Sequence, residues 1–193
     1  KLNISTFYLA GFSWGSHIAT FYASTYPNEV KGLILLDGGY IQNKNLPTSL
    51  EKEITDLEKF YDEVRFPSWE KFLEEEKSEV EAWTPELEAS SRAMVVEKDG
   101  EIRLKVTPDT TKALLKGIYA EETEKVLPNV TCPVLLLTAT MPEQLKELRE
   151  KEIQAFQQMV PNAVVHSIPN TSHSLYAEKP KEVADKIKHW VSD

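Results

Sequence analysis

The sequence predicts an α/β fold with a mainly parallel sheet and flanking helices, and three features of the chain support this prediction. Residues 6–36 run from a short apolar segment through a helix-like segment to a second apolar segment. Residues 133–191 repeat the same alternation. Residues 40–129, between these regions, are too many for a plain loop in a compact domain. Two strands joined by a helix form a right-handed crossover, which makes the strands parallel.

The first strand is expected at residues 6–10, whose β-prone apolar side chains stop at Gly11. From Gly15 the spacing of the apolar residues becomes helical, and Pro27 closes this helix. Residues 30–37 are almost continuously apolar, which is typical of a parallel strand buried on both faces. The chain is therefore expected to begin with a strand–helix–strand unit.

The second half is expected to follow the same order. Residues 133–138 and 163–168 are predicted to be strands, and each is followed by a helix, at residues 143–160 and 180–191. These strands should extend the sheet that the first half begins.

The long intervening segment should form a lobe of its own. Its patterns predict helices and one tight hairpin with an Asp-Gly turn at residues 96–102. The predicted division is a core of residues 1–39 and 130–193 and a lobe of residues 40–129. The helices are expected at residues 46–61, 68–83 and 110–124.

Composition limits the partners of the chain. Its 193 residues, 41% of them hydrophobic, suffice for one packed core with a modest accessory lobe. The net charge of -9 disfavours nucleic acid and anionic membrane surfaces, so the expected partner is a small neutral or cationic molecule. No apolar run approaches the roughly 18 residues of a membrane span.

The expected location is cytoplasmic. A single cysteine, Cys132, cannot form an internal disulfide, and no signal peptide is visible. The chain opens on Lys1 rather than Met, so we expect that its natural N-terminus is absent, and this leaves targeting open.

One motif contains a candidate catalytic residue. It is the segment Gly11-Phe12-Ser13-Trp14-Gly15, where the first strand meets the first helix. A serine on so sharp a turn takes strained backbone angles and points its Oγ out of the sheet. The two glycines are expected to remove side chains that would collide. The Trp14 N–H and the helix dipole would face negative charge on a substrate oxygen. Ser13 is therefore the candidate nucleophile, and a helix-capping serine is the alternative.

With these features the sequence resembles the α/β-hydrolase family over essentially the whole chain. The resemblance implies a serine, acid and histidine in that chain order, and it makes His173, in the polar loop after the last strand, the histidine. His17, His166 and His189 are expected to be structural. The segments that carry the resemblance are GFSWG, the helix ending in Tyr26-Pro27, VKGLILLDG, PVLLL, and Asn170-Thr171-Ser172-His173 before Glu178-Lys179-Pro180.

The acid departs from the family pattern. The family commonly has Leu-Leu-Leu-x-Gly-x-x-Asp after the strand PVLLL, whereas residues 135–143 here lack both the glycine and the aspartate. Glu143 is displaced by one residue and could point at His173 or only stabilise the helix start. Asp37 ends the neighbouring strand, where certain haloalkane dehalogenases carry their acid. Both carboxylates stay open, with Glu143 placed slightly ahead.

The resemblance implies a serine hydrolase that forms an acyl-enzyme on an ester-like carbonyl, without a metal or organic cofactor. Trp14 would supply one oxyanion N–H, Phe12 and Trp14 would lie near the substrate, and residues 40–129 would form a mostly helical cap between the second and third visible strands. The alternatives are a non-catalytic ligand-binding protein, an inactive fragment, or C–C hydrolysis, acyl transfer or perhydrolysis by the same residues.

The resemblance also implies a partly truncated fold. Family members have strands before the serine strand, and a His-Gly-rich turn there supplies the second oxyanion N–H. Without those strands, residues 6–9 would form an exposed apolar edge, which favours aggregation. We expect a preceding N-terminal segment, a second chain or a homo-oligomer to cover this edge.

Overall fold

The computed structural model describes residues 4–78, 80 and 83–192. The chain divides into two compact units, one formed by Lys1–Leu46 with Glu121–Asp193 and the other by Pro47–Ala120. The strands and α-helices of the described residues are, in chain order, β1 Phe7–Phe12, α1 Trp14–Thr25, β2 Val30–Leu36, α2 Leu50–Glu63, β3 Arg65–Phe66, α3 Trp69–Ser78, α4 Pro85–Met94, β4 Val95–Lys98, β5 Glu101–Leu104, α5 Pro108–Ala120, β6 Val134–Ala139, α6 Lys146–Met159, β7 Ala163–Ile168, α7 Leu175–Glu178 and α8 Pro180–Ser192.

The first unit contains the predicted parallel sheet. Its strand order is β1-β2-β6-β7, and every neighbouring pair is parallel. Leu36 at the end of β2 lies opposite Leu137 of β6, so the carboxyl ends of the two central strands are nearly level. This register brings the residues that follow β2 and β6 to the same edge of the sheet.

Alternating side chains of the central strands bury both faces of this sheet. Leu33 and Leu35 of β2 point to one face, where they pack with residues of α1 and with Phe156 of α6. Ile34 points to the opposite face and packs in a cluster with Val183 of α8. Full burial on both faces explains why β2 and β6 are almost continuously apolar.

Strand β1 lies at one end of the strand order and pairs with β2 in the described part of the chain. Tyr8 of β1 and Ile18 of α1 leave large parts of their apolar side chains exposed. Among the described helices, none is both long and apolar enough to cross a membrane.

The second unit contains an antiparallel sheet in the order β3-β5-β4. Strands β4 and β5 form the predicted hairpin, and Asp99 and Gly100 take positive φ angles of 56° and 78° in its turn. The small core of this unit contains Phe72, Val95 and Ile102. Tight Asp-Gly turns of this kind match the right-handed twist of the two strands.

The helices of the second unit agree broadly with the prediction, as α2, α3 and α5 take the place of the three expected helices. Part of the helix predicted at residues 68–83 falls on residues 79, 81 and 82, which lie outside the described residues. Helix α4 was not predicted, although Thr84 caps it by accepting a hydrogen bond from the Leu87 N–H.

The predicted boundaries of the inserted segment need correction, because residues 40–46 and 121–129 belong to the first unit. Tyr40 and Leu127 are buried in the core beside the parallel sheet. The backbone N–H of Gln42 donates to Glu152 Oε2 of α6 at 2.9 Å. Both ends of the predicted lobe therefore belong to the core unit. The separate unit, residues 47–120, is shorter than the predicted lobe.

Candidate active site

Ser13 is the single residue between the end of β1 and the start of α1, and its backbone angles are φ 53° and ψ -121°. Such positive φ angles cost a non-glycine residue on the order of 1–3 kcal/mol and persist only where the surrounding structure holds them. The Ser13 N–H donates to the Leu36 carbonyl at 2.9 Å, and the Ser13 carbonyl accepts the Ser16 N–H at 3.0 Å. The turn is therefore bonded both to β2 and to the first turn of α1.

Two glycines make room for this turn. A Cβ on Gly11 would lie 2.3 Å from the Gly15 carbonyl oxygen, and a Cβ on Gly38 would lie 2.2 Å from the Ser13 carbonyl oxygen. Gly15 was also expected to avoid a collision, but a Cβ there would meet no described atom within 4 Å apart from its chain neighbours and the backbone of its own helix. The second close approach therefore belongs to Gly38, which was not singled out from the sequence.

His173 contacts both Ser13 and a carboxylate. Its Nε2 lies 2.7 Å from Ser13 Oγ, and its Nδ1 lies 2.9 Å from Asp37 Oδ2. Because an ionised carboxylate can only accept, Nδ1 carries the proton in this contact, and Nε2 of the neutral ring is left to accept the Ser13 hydroxyl proton. This arrangement can remove a proton from Ser13 Oγ.

Asp37, rather than Glu143, is the carboxylate that contacts His173. The Asp37 side chain is 7% exposed, and its Oδ1 accepts the Ala139 N–H at 3.0 Å and the Tyr40 hydroxyl at 3.2 Å. The Glu143 side chain is 74% exposed and lies 4.0 Å from Lys146 Nζ. The slight preference for Glu143 is therefore corrected: the register of β2 and β6 places Asp37 beside Ala139, whereas Glu143 lies in a solvent-exposed turn at the start of the following helix.

Several hydrogen bonds hold the loop that carries His173. The Thr171 carbonyl accepts the N–H groups of Thr140 and Met141, at 3.2 and 2.9 Å. The fully buried Thr171 hydroxyl donates to the Ile168 carbonyl at 2.8 Å, and Glu178 accepts the Ser172 N–H at 3.1 Å. The loop is thus attached to the segment after β6 and to α7, and this fixes the position of the imidazole.

Comparison with known proteins identifies the fold family. A family model described as the alpha/beta hydrolase fold matches residues 1–180. The chain belongs to the α/β-hydrolase fold family.

Solved structures of this family share its architecture. E-2-(acetamidomethylene)succinate hydrolase superposes with a TM-score of 0.76 at 15% identity, over 100% of this chain and 69% of that one. A marine microorganism esterase gives 0.66 at 21% identity, over 97% of this chain and 70% of the other. A peroxisomal α/β-hydrolase of Saccharomyces cerevisiae gives 0.69 at 16% identity, over 95% and 52% of the two chains. No curated protein matches this chain.

In this α/β-hydrolase fold, the aromatic residues beside Ser13 differ in their surroundings. The Phe12 ring lies 4.8 Å from the His173 ring, with 35° between the two planes, and it meets the Tyr176 ring edge-on at the same distance. Trp14 is 36% exposed and begins α1, where backbone N–H groups have no acceptor within the helix. Phe12 therefore packs on the imidazole, and Tyr176 joins a cluster that the sequence did not reveal.

The other three histidines lie on regular elements: His17 on α1, His166 on β7 and His189 on α8. Burial lowers the pKa of His17, and its Nδ1 has no hydrogen-bond partner among the described residues. The pKa of His166 is also lowered, first by burial and then by the charges of Lys186 and His189. Of the four histidines, His173 is the one that bonds to Ser13.

Proposed function

We propose that this chain is a serine hydrolase that cleaves an ester-like carbonyl substrate through Ser13, His173 and Asp37. The observation that carries the proposal is the continuous hydrogen-bond chain from Ser13 Oγ through both His173 nitrogens to Asp37 Oδ2. This is the order of contacts in which a histidine activates a serine and a carboxylate orients the histidine. The structural neighbours named above include a hydrolase and an esterase, and this agrees with the proposed reaction class.

The reaction would proceed in two halves. Ser13 Oγ attacks the substrate carbonyl carbon while its proton passes to His173 Nε2, and the resulting imidazolium then protonates the leaving alcohol oxygen as the ester bond breaks. A water molecule, deprotonated by the same nitrogen, attacks the acyl carbon; the bond between that carbon and Ser13 Oγ then breaks, the carboxylic acid leaves, and His173 Nε2 returns the proton to Ser13 Oγ. Asp37 accepts the hydrogen bond from the Nδ1–H group throughout, so it orients the imidazole and stabilises the positive ring.

The negative oxygen of the intermediate would be stabilised at the N-terminus of α1. The Trp14 N–H is the proposed donor there, and the helix dipole adds a favourable field. A single missing oxyanion donor costs on the order of 3 kcal/mol of transition-state stabilisation. We propose that the second donor comes from a chain segment or partner chain that pairs with β1, the strand at one end of the described sheet. Activity should therefore be measured on the full-length protein.

We assign the role of the cap to the inserted unit, residues 47–120. In the sequence this unit leaves the core after β2 and returns before β6, and these are the strands whose ends provide Asp37 and the Ala139 N–H. An insertion at this point can shape specificity and limit access of water to an acyl-enzyme.

The proposal is tested with the full-length protein, a fluorophosphonate probe and a p-nitrophenyl ester. We expect the probe to label the wild-type protein at Ser13, and we expect Ser13→Ala to abolish both labelling and hydrolysis. Ser24→Ala is the matched control, because Ser24 lies on α1 and its hydroxyl donates to the Phe21 carbonyl, away from His173. A wild-type protein that is not labelled, or a Ser13→Ala variant that still hydrolyses the ester, would overturn the proposal.

A further inference from the structure

The second oxygen of Asp37 has its own donors. While Oδ2 faces His173, Oδ1 accepts both the Ala139 N–H at 3.0 Å and the Tyr40 hydroxyl at 3.2 Å. A carboxylate that uses one oxygen for the histidine can still rotate about its Cβ–Cγ bond. Two donors on the other oxygen oppose that rotation, because the carboxylate would lose both bonds.

Tyr40 is buried in the core, and this burial restricts the direction of its hydroxyl. The residue is 1% exposed and packs in the cluster under the parallel sheet. It follows Asp37 by three residues, after Gly38 and Gly39, so the same turn that ends β2 returns the ring toward the carboxylate. Burial and the Asp37 charge raise the pKa of Tyr40, so its hydroxyl keeps the proton that it donates.

Arg149 of α6 holds the segment after β6. Its guanidinium donates to the carbonyl oxygens of Pro142 at 2.9 Å and Thr140 at 3.3 Å, and also to that of Met141. The positive charge of the same group partly opposes the rise in the pKa of Tyr40. Arg149 thus holds the turn in which the family commonly carries its acid. Ala139, the last residue of β6 before that turn, donates its N–H to Asp37.

We propose that Tyr40 is a positioning residue, which together with the Ala139 N–H fixes Asp37 Oδ2 toward His173 and so lets a carboxylate at the end of β2 act as the acid. This inference rests on the proposed serine hydrolase function. It adds a role for a buried tyrosine that otherwise contributes only to packing. A positioning role and a packing role predict different effects of Tyr40→Phe, because that substitution keeps the ring and removes only the hydroxyl.

The test compares Tyr40→Phe with the wild-type full-length protein on the p-nitrophenyl ester. We expect kcat to fall on the order of 10-fold, in line with the loss of a hydrogen bond to a charged group, while KM stays within about twofold. The low-field proton resonance of the His173 Nδ1–H group should shift as well. Tyr22→Phe is the matched control: its hydroxyl donates to the Glu29 carboxylate in the same unit, and we expect kcat and the resonance to be unchanged.

A second measurement separates positioning from damage to the fold. If Tyr40 acts through Asp37, Tyr40→Phe should change the rate less than twofold in an Asp37→Asn background, because coupled residues are not additive. A Tyr40→Phe protein with wild-type kcat and resonance, or equal losses in both backgrounds, would overturn the inference while Ser13 labelling of the wild type still stood. Failure of the wild type to react with the probe would instead remove the proposed function.

Discussion

Replacement of Gly11 by alanine should damage the turn around Ser13 severely. The new Cβ would lie 2.3 Å from the Gly15 carbonyl oxygen and 2.5 Å from its carbonyl carbon, about 1.1 Å inside the 3.4 Å at which ordinary contacts begin. Both opposing atoms are backbone, so the end of β1 and the start of α1 have to separate by roughly that distance. Overpacking of this kind typically costs about 1–3 kcal/mol.

The loss of activity should exceed the loss of stability. Ser13 lies between these two segments, and a displacement of about 1 Å at a reacting group can cost about 100-fold in rate. For a chain of this size, a loss of 1–3 kcal/mol corresponds to a decrease in Tm of about 2–12 °C. We therefore expect Gly11→Ala to lower ester hydrolysis about 100-fold at a temperature where the variant remains folded, which circular dichroism would verify.

Gly15→Ala is the matched control in the same motif. Its Cβ would meet no described atom within 4 Å apart from its chain neighbours and the backbone of its own helix, and Gly15 lies in α1, where alanine is favoured over glycine by about 1 kcal/mol. We expect an unchanged rate and a Tm raised by about 2–4 °C. If Gly15→Ala lowers the rate or the Tm as much as Gly11→Ala does, the steric account of this turn is refuted.

Two further predictions concern the acid and the pH dependence of stability. Asp37→Asn should lower kcat about 10⁴-fold in the ester assay, whereas Glu143→Gln should change it less than twofold, and equal effects would contradict the assignment of Asp37. Burial holds the pKa of His17 below its ordinary 6.5, so the folded state binds fewer protons there than the unfolded state. The free energy of unfolding should therefore fall as the pH drops below about 6.5, with a slope of at most about 1.4 kcal/mol per pH unit from this residue. Urea unfolding at pH 7.5 and 5.5 should show a smaller decrease in His17→Gln than in the wild type, and an equal decrease would show that His17 does not contribute.

The fold and two of the contacting residues could be predicted from the sequence because their signals are local. The continuous apolar run of β2 and the change from strand to helix spacing at Gly11-Phe12-Ser13-Trp14-Gly15 are properties of adjacent residues. His173 could be found because the polar loop after the last strand follows directly from the strand pattern. The ends of the inserted unit could not be found in this way, since contacts such as that of Gln42 with Glu152 join residues far apart in the chain.

The identity of the acid also depends on contacts between residues that are far apart in the chain. The spacing after PVLLL favoured Glu143, but the reach of a carboxylate depends on the register between β2 and β6, which no spacing within either segment encodes. The glycine after Asp37 does carry tertiary information. A Cβ on Gly38 would lie 2.2 Å from the Ser13 carbonyl oxygen, so the requirement for glycine reports that the chain leaving β2 passes against the serine turn. Asp37 adjoins this glycine and lies beside the serine turn, where its carboxylate contacts His173, whereas Glu143 is followed by Gln144.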